Sequence, residues 1–124
     1  MYELAKIMIA DDSDAIRMVL KDILIIGKHE FVAEASNGLE ASEQFKKTNP
    51  DIVLLDVAMP KKDGLTVLRE IIAHKPDAKV IMITAFANLD AAIEALRGDV
   101  HDFFPKPVKI KELKESIRRA LNKT

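Results

Sequence analysis

Ile52-Val53-Leu54-Leu55-Asp56, followed by Val57-Ala58-Met59-Pro60, decides the fold of this chain. Four apolar residues in a row read as a short strand buried on both faces. A carboxylate closing such a strand is presented at one edge of a sheet. A second apolar run, Ile7-Met8-Ile9-Ala10, ends on Asp11-Asp12. Carboxylates gathered at strand ends repel one another and resist burial, and groups held against that cost tend to mark chemistry.

The same pattern repeats along the 124 residues. Short apolar runs predict strands over Lys6–Ala10, Phe31–Ala35, Asp51–Leu55, Lys79–Ile83 and Asp102–Phe104. Helix-period segments alternate with them. The first covers Asp14–Ile26, with Ile16, Val19, Leu20, Ile23 and Leu24 as its apolar stripe, Ser13 as N-cap and Gly27 as its stop. The second, Gly38–Lys47, sets Ala41 and Phe45 on one face and ends at Asn49-Pro50. The third, Leu65–His74, carries Leu65, Leu68 and Ile72, with Pro76 beyond its end. The fourth, Leu89–Leu96, is alanine-rich and weakly amphipathic. The fifth, Ile110–Asn122, spaces Ile110, Leu113, Ile117 and Leu121 at helical intervals.

Strict alternation of buried strands and helices predicts an α/β fold: a doubly wound, five-stranded parallel sheet with right-handed crossovers and five helices. The natural strand order is 2-1-3-4-5. Ligands then sit beyond the carboxyl ends of strands 1 and 3, where the winding reverses. Asp11, Asp12 and Asp56 fall at those two ends.

Bulk properties bound the function. The length suits one domain, residues 1–124. Hydrophobic residues at 48% against 31% charged fit a folded globular chain. A net charge of -1 gives no global basic field for nucleic acid. With no cysteine there is no disulfide, thiolate zinc site or thiol nucleophile. The N-terminus lacks a signal-peptide pattern and no run approaches a membrane span, so a cytoplasmic location is expected.

Two further polar residues follow strands. Thr84 comes after Val80-Ile81-Met82-Ile83, and Lys106 after Phe103-Phe104-Pro105. Carboxylates with a lysine and a hydroxyl on one rim suit a hard, oxygen-seeking cation and a phosphoryl group. A carboxylate is itself able to take a phosphoryl group covalently.

These residues carry a resemblance. Asp11-Asp12, Leu55-Asp56 with Met59-Pro60 and Asp63-Gly64, Thr84-Ala85 and Lys106-Pro107 together resemble the receiver domain of two-component response regulators, chemotaxis regulators among them, over nearly the whole chain. The resemblance implies a flavodoxin-like fold and a phosphorylation-dependent signalling switch, not a turnover enzyme. It implies that Asp56 accepts a phosphoryl group from a histidine kinase or phosphotransfer protein. Mg²⁺ would be held by Asp12, Asp56 and the backbone carbonyl of Ala58, with Asp11 orienting metal-bound water. Lys106 would pair with the phosphate, and Thr84 would swing to it while Phe103 turns inward. The implied output surface is the face of the fourth helix, fifth strand and fifth helix, offered to a downstream protein; the chain would be a monomer or a phosphorylation-dependent dimer. A cis Lys106–Pro107 bond is also implied.

The chain departs from the family's pattern at several positions. Ala58 is small where many members carry a polar side chain, and Phe86 is apolar; together these predict a long-lived aspartyl-phosphate. Asp99-Val100 stands where a Gly-Ala pair is common, and Gly98 one place earlier predicts a shifted or strained turn. Pro105 removes an amide beside the site.

Two other classes remain open on the residues. An aspartate-nucleophile phosphohydrolase of the haloacid-dehalogenase type would need a second acid two residues after Asp56, where Ala58 stands. A phosphorylation-independent interaction domain has no need of a complete acidic pocket. The lysines and arginines of residues 106–124 read as a solvated helix, and no membrane or nucleic-acid partner is expected. His29, His74 and His101 share no metal-ligand spacing.

Overall fold

Alternating side chains along each strand sort the interior into two layers. In a computed structural model, which describes residues 5–84 and 98–121, the strands are β1 (Lys6–Ala10), β2 (Glu30–Ala35), β3 (Ile52–Leu55), β4 (Lys79–Thr84) and β5 (Asp102–Pro105). All pair in parallel in one sheet of order β2-β1-β3-β4-β5, the expected order. Ile7, Ile9, Ile52, Leu54, Ile81 and Ile83 share one apolar layer with helices α1 (Asp14–Ile26) and α4 (Ile110–Leu121). Met8, Ala10, Val53, Leu55, Val80 and Met82 share the other with α2 (Gly38–Thr48) and α3 (Gly64–His74). Both faces are covered, so these strands read as unbroken apolar runs rather than alternating ones.

Parity also fixes where Asp56 stands. A one-residue slip of β3 would send every side chain to the wrong layer. Ile52, Val53 and Leu55 are fully buried and Leu54 nearly so. Truncating one such side chain typically costs about 2–5 kcal/mol, so the register is firmly held. Past the strand ends the ladder continues: Asp56 N–H donates to Ala10 C=O at 2.9 Å and Asp11 N–H to Ala35 C=O at 3.0 Å.

The helices follow the sequence with instructive exceptions. The Ser13 hydroxyl caps α1 by accepting from the Ile16 amide at 3.2 Å. Leu20, Ile23 and Leu24 are buried, but Val19 is 54% exposed; the stripe is narrower than its hydrophobicity suggested. Gly27 ends the helix at φ -77°, and the left-handed residue is its neighbour Lys28 at φ 63°. Asn49, at φ 49°, caps α2 before Pro50. In α3, Val67 and Ile71 join Leu68 as the buried set, while Leu65 and Ile72 are only partly covered. In α4, Ile110 is exposed, and Ser116 occupies the stripe fully buried. Among the described residues no glycine has a positive φ, so no strain of the kind expected at the Gly98 turn is found there. The helix expected at residues 89–96, and Phe86, lie outside the described residues. Among the described residues no helix is long and apolar enough to cross a membrane.

Candidate functional site

Three carboxylates meet at the carboxyl edge of β1 and β3. Asp11 and Asp56 are 1% and 2% exposed, and Asp12 beside them faces solvent. One oxygen of each lies within 4.8 Å of the others. In an octahedral shell with bonds of about 2.0–2.1 Å, oxygens on opposite sides of the ion stand roughly 4 Å apart. The spacing and the all-oxygen chemistry of the cluster therefore fit a small hard cation.

Lys106 reaches across from the end of β5. Its ammonium stands 2.8 Å from Asp11 Oδ2 and 3.1 Å from Asp56 Oδ2. Its position follows from β5: Lys106 N–H donates to Thr84 C=O at 3.0 Å, extending the β4–β5 ladder by one residue. Pro105, without an N–H, lies opposite Thr84 in that ladder, and edge strands tolerate such a proline. The Lys106–Pro107 bond is cis.

Two buried acids against one lysine leave the pocket with excess negative charge. Burial pushes the Asp56 carboxyl above the usual carboxylate range; the Lys106 hydrogen bond opposes this, and the charge of Asp11 adds to the rise. Burial also works against the Lys106 ammonium, but the hydrogen bonds to Asp11 and Asp56 override it and hold that group above the usual lysine value. The Ala58 amide donates to Asp56 Oδ1 at 3.2 Å. Ala58 itself is exposed, so the rim opens to solvent there.

Thr84 is buried at the end of β4, inside the strand rather than just past it. Phe103 is partly buried and packs on the α2–α3 layer. Asp11, Asp12, Asp56, Thr84, Phe103 and Lys106 thus lie at the strand ends or on the strand beside them. The three acids and Lys106 form one cluster.

The helices beside this cluster contain residues whose part in it the sequence reading did not assign. Arg17 on α1 donates to the Asp11 carbonyl at 2.5 Å and to Glu34 at 2.9 Å, and pairs with Asp14. It ties the acidic loop to α1 and β2. Gly64 opens α3 directly under the acid. A Cβ there would lie 2.4 Å from the Asp56 carbonyl oxygen, so only glycine fits. Gly38 is tighter still, 1.8 Å from the Lys62 carbonyl oxygen by the same measure. The Asp63-Gly64 pair was the available signal: Asp63 caps α3 through the Thr66 amide at 3.0 Å, and Gly64 makes the close approach.

A family model described as the response regulator receiver domain matches residues 7–118. The chain belongs to the response regulator receiver domains. It is 39% identical over 117 residues to the chemotaxis protein CheY of Bacillus subtilis, covering 94% of this chain and 98% of that one. Among solved structures it is similar to a CheY-like receiver domain protein from Methanospirillum hungatei, with TM-score 0.87, 27% identity, and 97% and 95% of the two chains covered. It is also similar to a chain of the CheX-CheY-BeF3-Mg+2 complex from Borrelia burgdorferi, with TM-score 0.87, 30% identity, and 95% and 90% covered. The receiver fold and its place in two-component signalling are thereby established.

Proposed function

We propose that this receiver is a phosphorylation-dependent switch in which Asp56 accepts a phosphoryl group from a histidine kinase or phosphotransfer protein. The observation that carries this reading is the convergence of Asp11, Asp12 and Asp56 within 4.8 Å, with Lys106 on the two buried acids. A carboxylate oxygen of Asp56 attacks phosphorus, and the bond to the donor's nitrogen breaks. Asp11, Asp12, Asp56 and the Ala58 carbonyl are the groups to hold Mg²⁺. The ion would neutralise charge on the phosphoryl oxygens. Lys106 leaves its two-acid contact to pair with a phosphoryl oxygen, because added phosphate charge outcompetes one carboxylate.

Thr84 follows the phosphoryl group and Phe103 fills the space behind it, reshaping the β5–α4 face that a downstream protein reads. The residues favour this over a phosphohydrolase. Ala58 supplies no acid two places after Asp56, so nothing there protonates a leaving group or activates water. A cytoplasmic setting, where such phosphodonors work, goes with this reading, as does a single domain over residues 1–124.

The test is phosphoryl uptake from acetyl phosphate with Mg²⁺, followed by intact mass. The parent gains one phosphoryl group and Asp56→Asn gains none. Uptake by the Asn variant would remove Asp56 from the role.

A further inference from the structure

The segment from Val57 to Asp63 joins β3 to α3 and contains Ala58, whose amide already touches Asp56. Its two adjacent lysines have different fates. Lys61 is exposed and sits at φ 73°, a left-handed conformation that a non-glycine residue does not adopt without support. Lys62 folds back instead. Its ammonium donates to both Glu70 carboxylate oxygens on α3 at 2.9 Å and to the Ser42 hydroxyl on α2 at 3.1 Å. Ser42, itself buried, donates to the same Glu70 carboxylate at 2.5 Å. These contacts hold the Glu70 carboxyl below the usual range, through Ser42 first and Lys62 second.

The backbone is secured beside this contact. Gly38 N–H on α2 donates to the Pro60 carbonyl at 3.2 Å, Lys62 N–H to the same carbonyl at 2.8 Å, and Gly64 N–H to the Val57 carbonyl at 2.9 Å. Val57 and Met59 are anchored in the apolar layer. The segment is thus pinned to two helices and one strand.

We propose that Lys62 is a positioning residue for metal binding: shared between Glu70 and Ser42, it holds the Val57–Asp63 segment in the form that presents the Ala58 carbonyl to the cation. This rests on the reading of the acidic cluster given above. Lys62 is not part of that cluster and makes no contact with it among its hydrogen bonds. Its action is to order the ligand-bearing segment before the ion arrives, so that less freedom is lost on binding.

The experiment is calorimetric titration with Mg²⁺, paired with amide hydrogen exchange. Lys62→Met is expected to weaken Mg²⁺ affinity about tenfold, the lower end for residues that orient ligands from outside the coordination shell. Exchange should speed up at Ala58, Lys62 and Gly64. The charge-swapped pair Lys62→Glu with Glu70→Lys should restore much of both, and phosphoryl uptake at saturating Mg²⁺ should match the parent. Should Lys62→Met fold poorly, Glu70→Gln with Ser42→Ala is expected to show the same loosening. Unchanged Mg²⁺ affinity in these variants, with the parent binding normally and Asp12→Ala not, would overturn the role of Lys62 alone. A parent that fails to bind Mg²⁺ would overturn the metal reading as well.

Discussion

Asp56, just past the end of β3, and Asp102, at the start of β5, are both aspartates with a cation in reach, and their surroundings differ. Asp102 opens β5 and is fully served. Its carboxylate accepts from the Phe103 amide at 3.0 Å, the Ser116 hydroxyl at 2.7 Å and Arg119 at 2.6 Å. One acid meets one base, and β5 is stitched to α4. Asp56 shares its lysine with a second buried acid, and its pKa is raised. A carboxylate whose partners are all present is a fastener. One left with excess charge and an open rim is the kind of group that the cation and phosphoryl group proposed above would satisfy.

Removing the cation beside Asp56 gives the largest effect. Lys106→Met strands two buried carboxylates, and breaking a buried pair costs about 3–5 kcal/mol at neutral pH. Millimolar Mg²⁺ should return much of that stability in urea unfolding. If Mg²⁺ returns none, the pocket is not a cation site.

At the other aspartate, Asp102→Ala leaves the buried Ser116 hydroxyl without its acceptor and should cost about 1–3 kcal/mol. Phosphoryl uptake should stay at the parent level. Ser116→Ala added to it should cost little more, since the two residues share one interaction. A large fall in uptake would erase the distinction between the two sites.

The smallest effect concerns pH. Because the Asp56 pKa is raised on folding, the folded protein binds more proton than the unfolded chain between the ordinary value of 3.8 and the folded value. The stability contributed by this group is fully present below the ordinary value of 3.8 and lost as pH rises through the folded value. Glu34, Glu40, Asp63 and Glu70 run the other way: their pKa values are lowered, and their contribution fades as pH falls. Asp56→Asn should therefore be more stable than the parent at neutral pH. The gap should close on acidification toward the ordinary carboxylate range. A gap that stays constant with pH would show that Asp56 carries no raised pKa.

What the sequence revealed depended on how local each interaction is. Strand order and the rim acids were legible because each strand announces its own burial and the acids follow directly. Residues that act at a distance were not. Ser116 carries no signal of its own in the sequence, and only the approach of β5 shows that it faces Asp102. Nothing next to Arg17 in the sequence points to the Asp11 carbonyl and Glu34 that it reaches. Lys61 and Lys62 are indistinguishable by type and differ only in which way the chain turns. Val19 and Ile110 erred in the other direction: both are apolar at plausible spacing, yet neither layer reaches them.

Gly64 has a meaning for anyone who wishes to alter this switch. Its missing side chain is the space in which the Asp56 backbone sits. Adding one carbon there would change no charge and remove no donor. It would push the first turn of α3 and the end of β3 apart, displacing the acid from its neighbours by sheer volume. The address for silencing the site without touching its chemistry is a hydrogen atom.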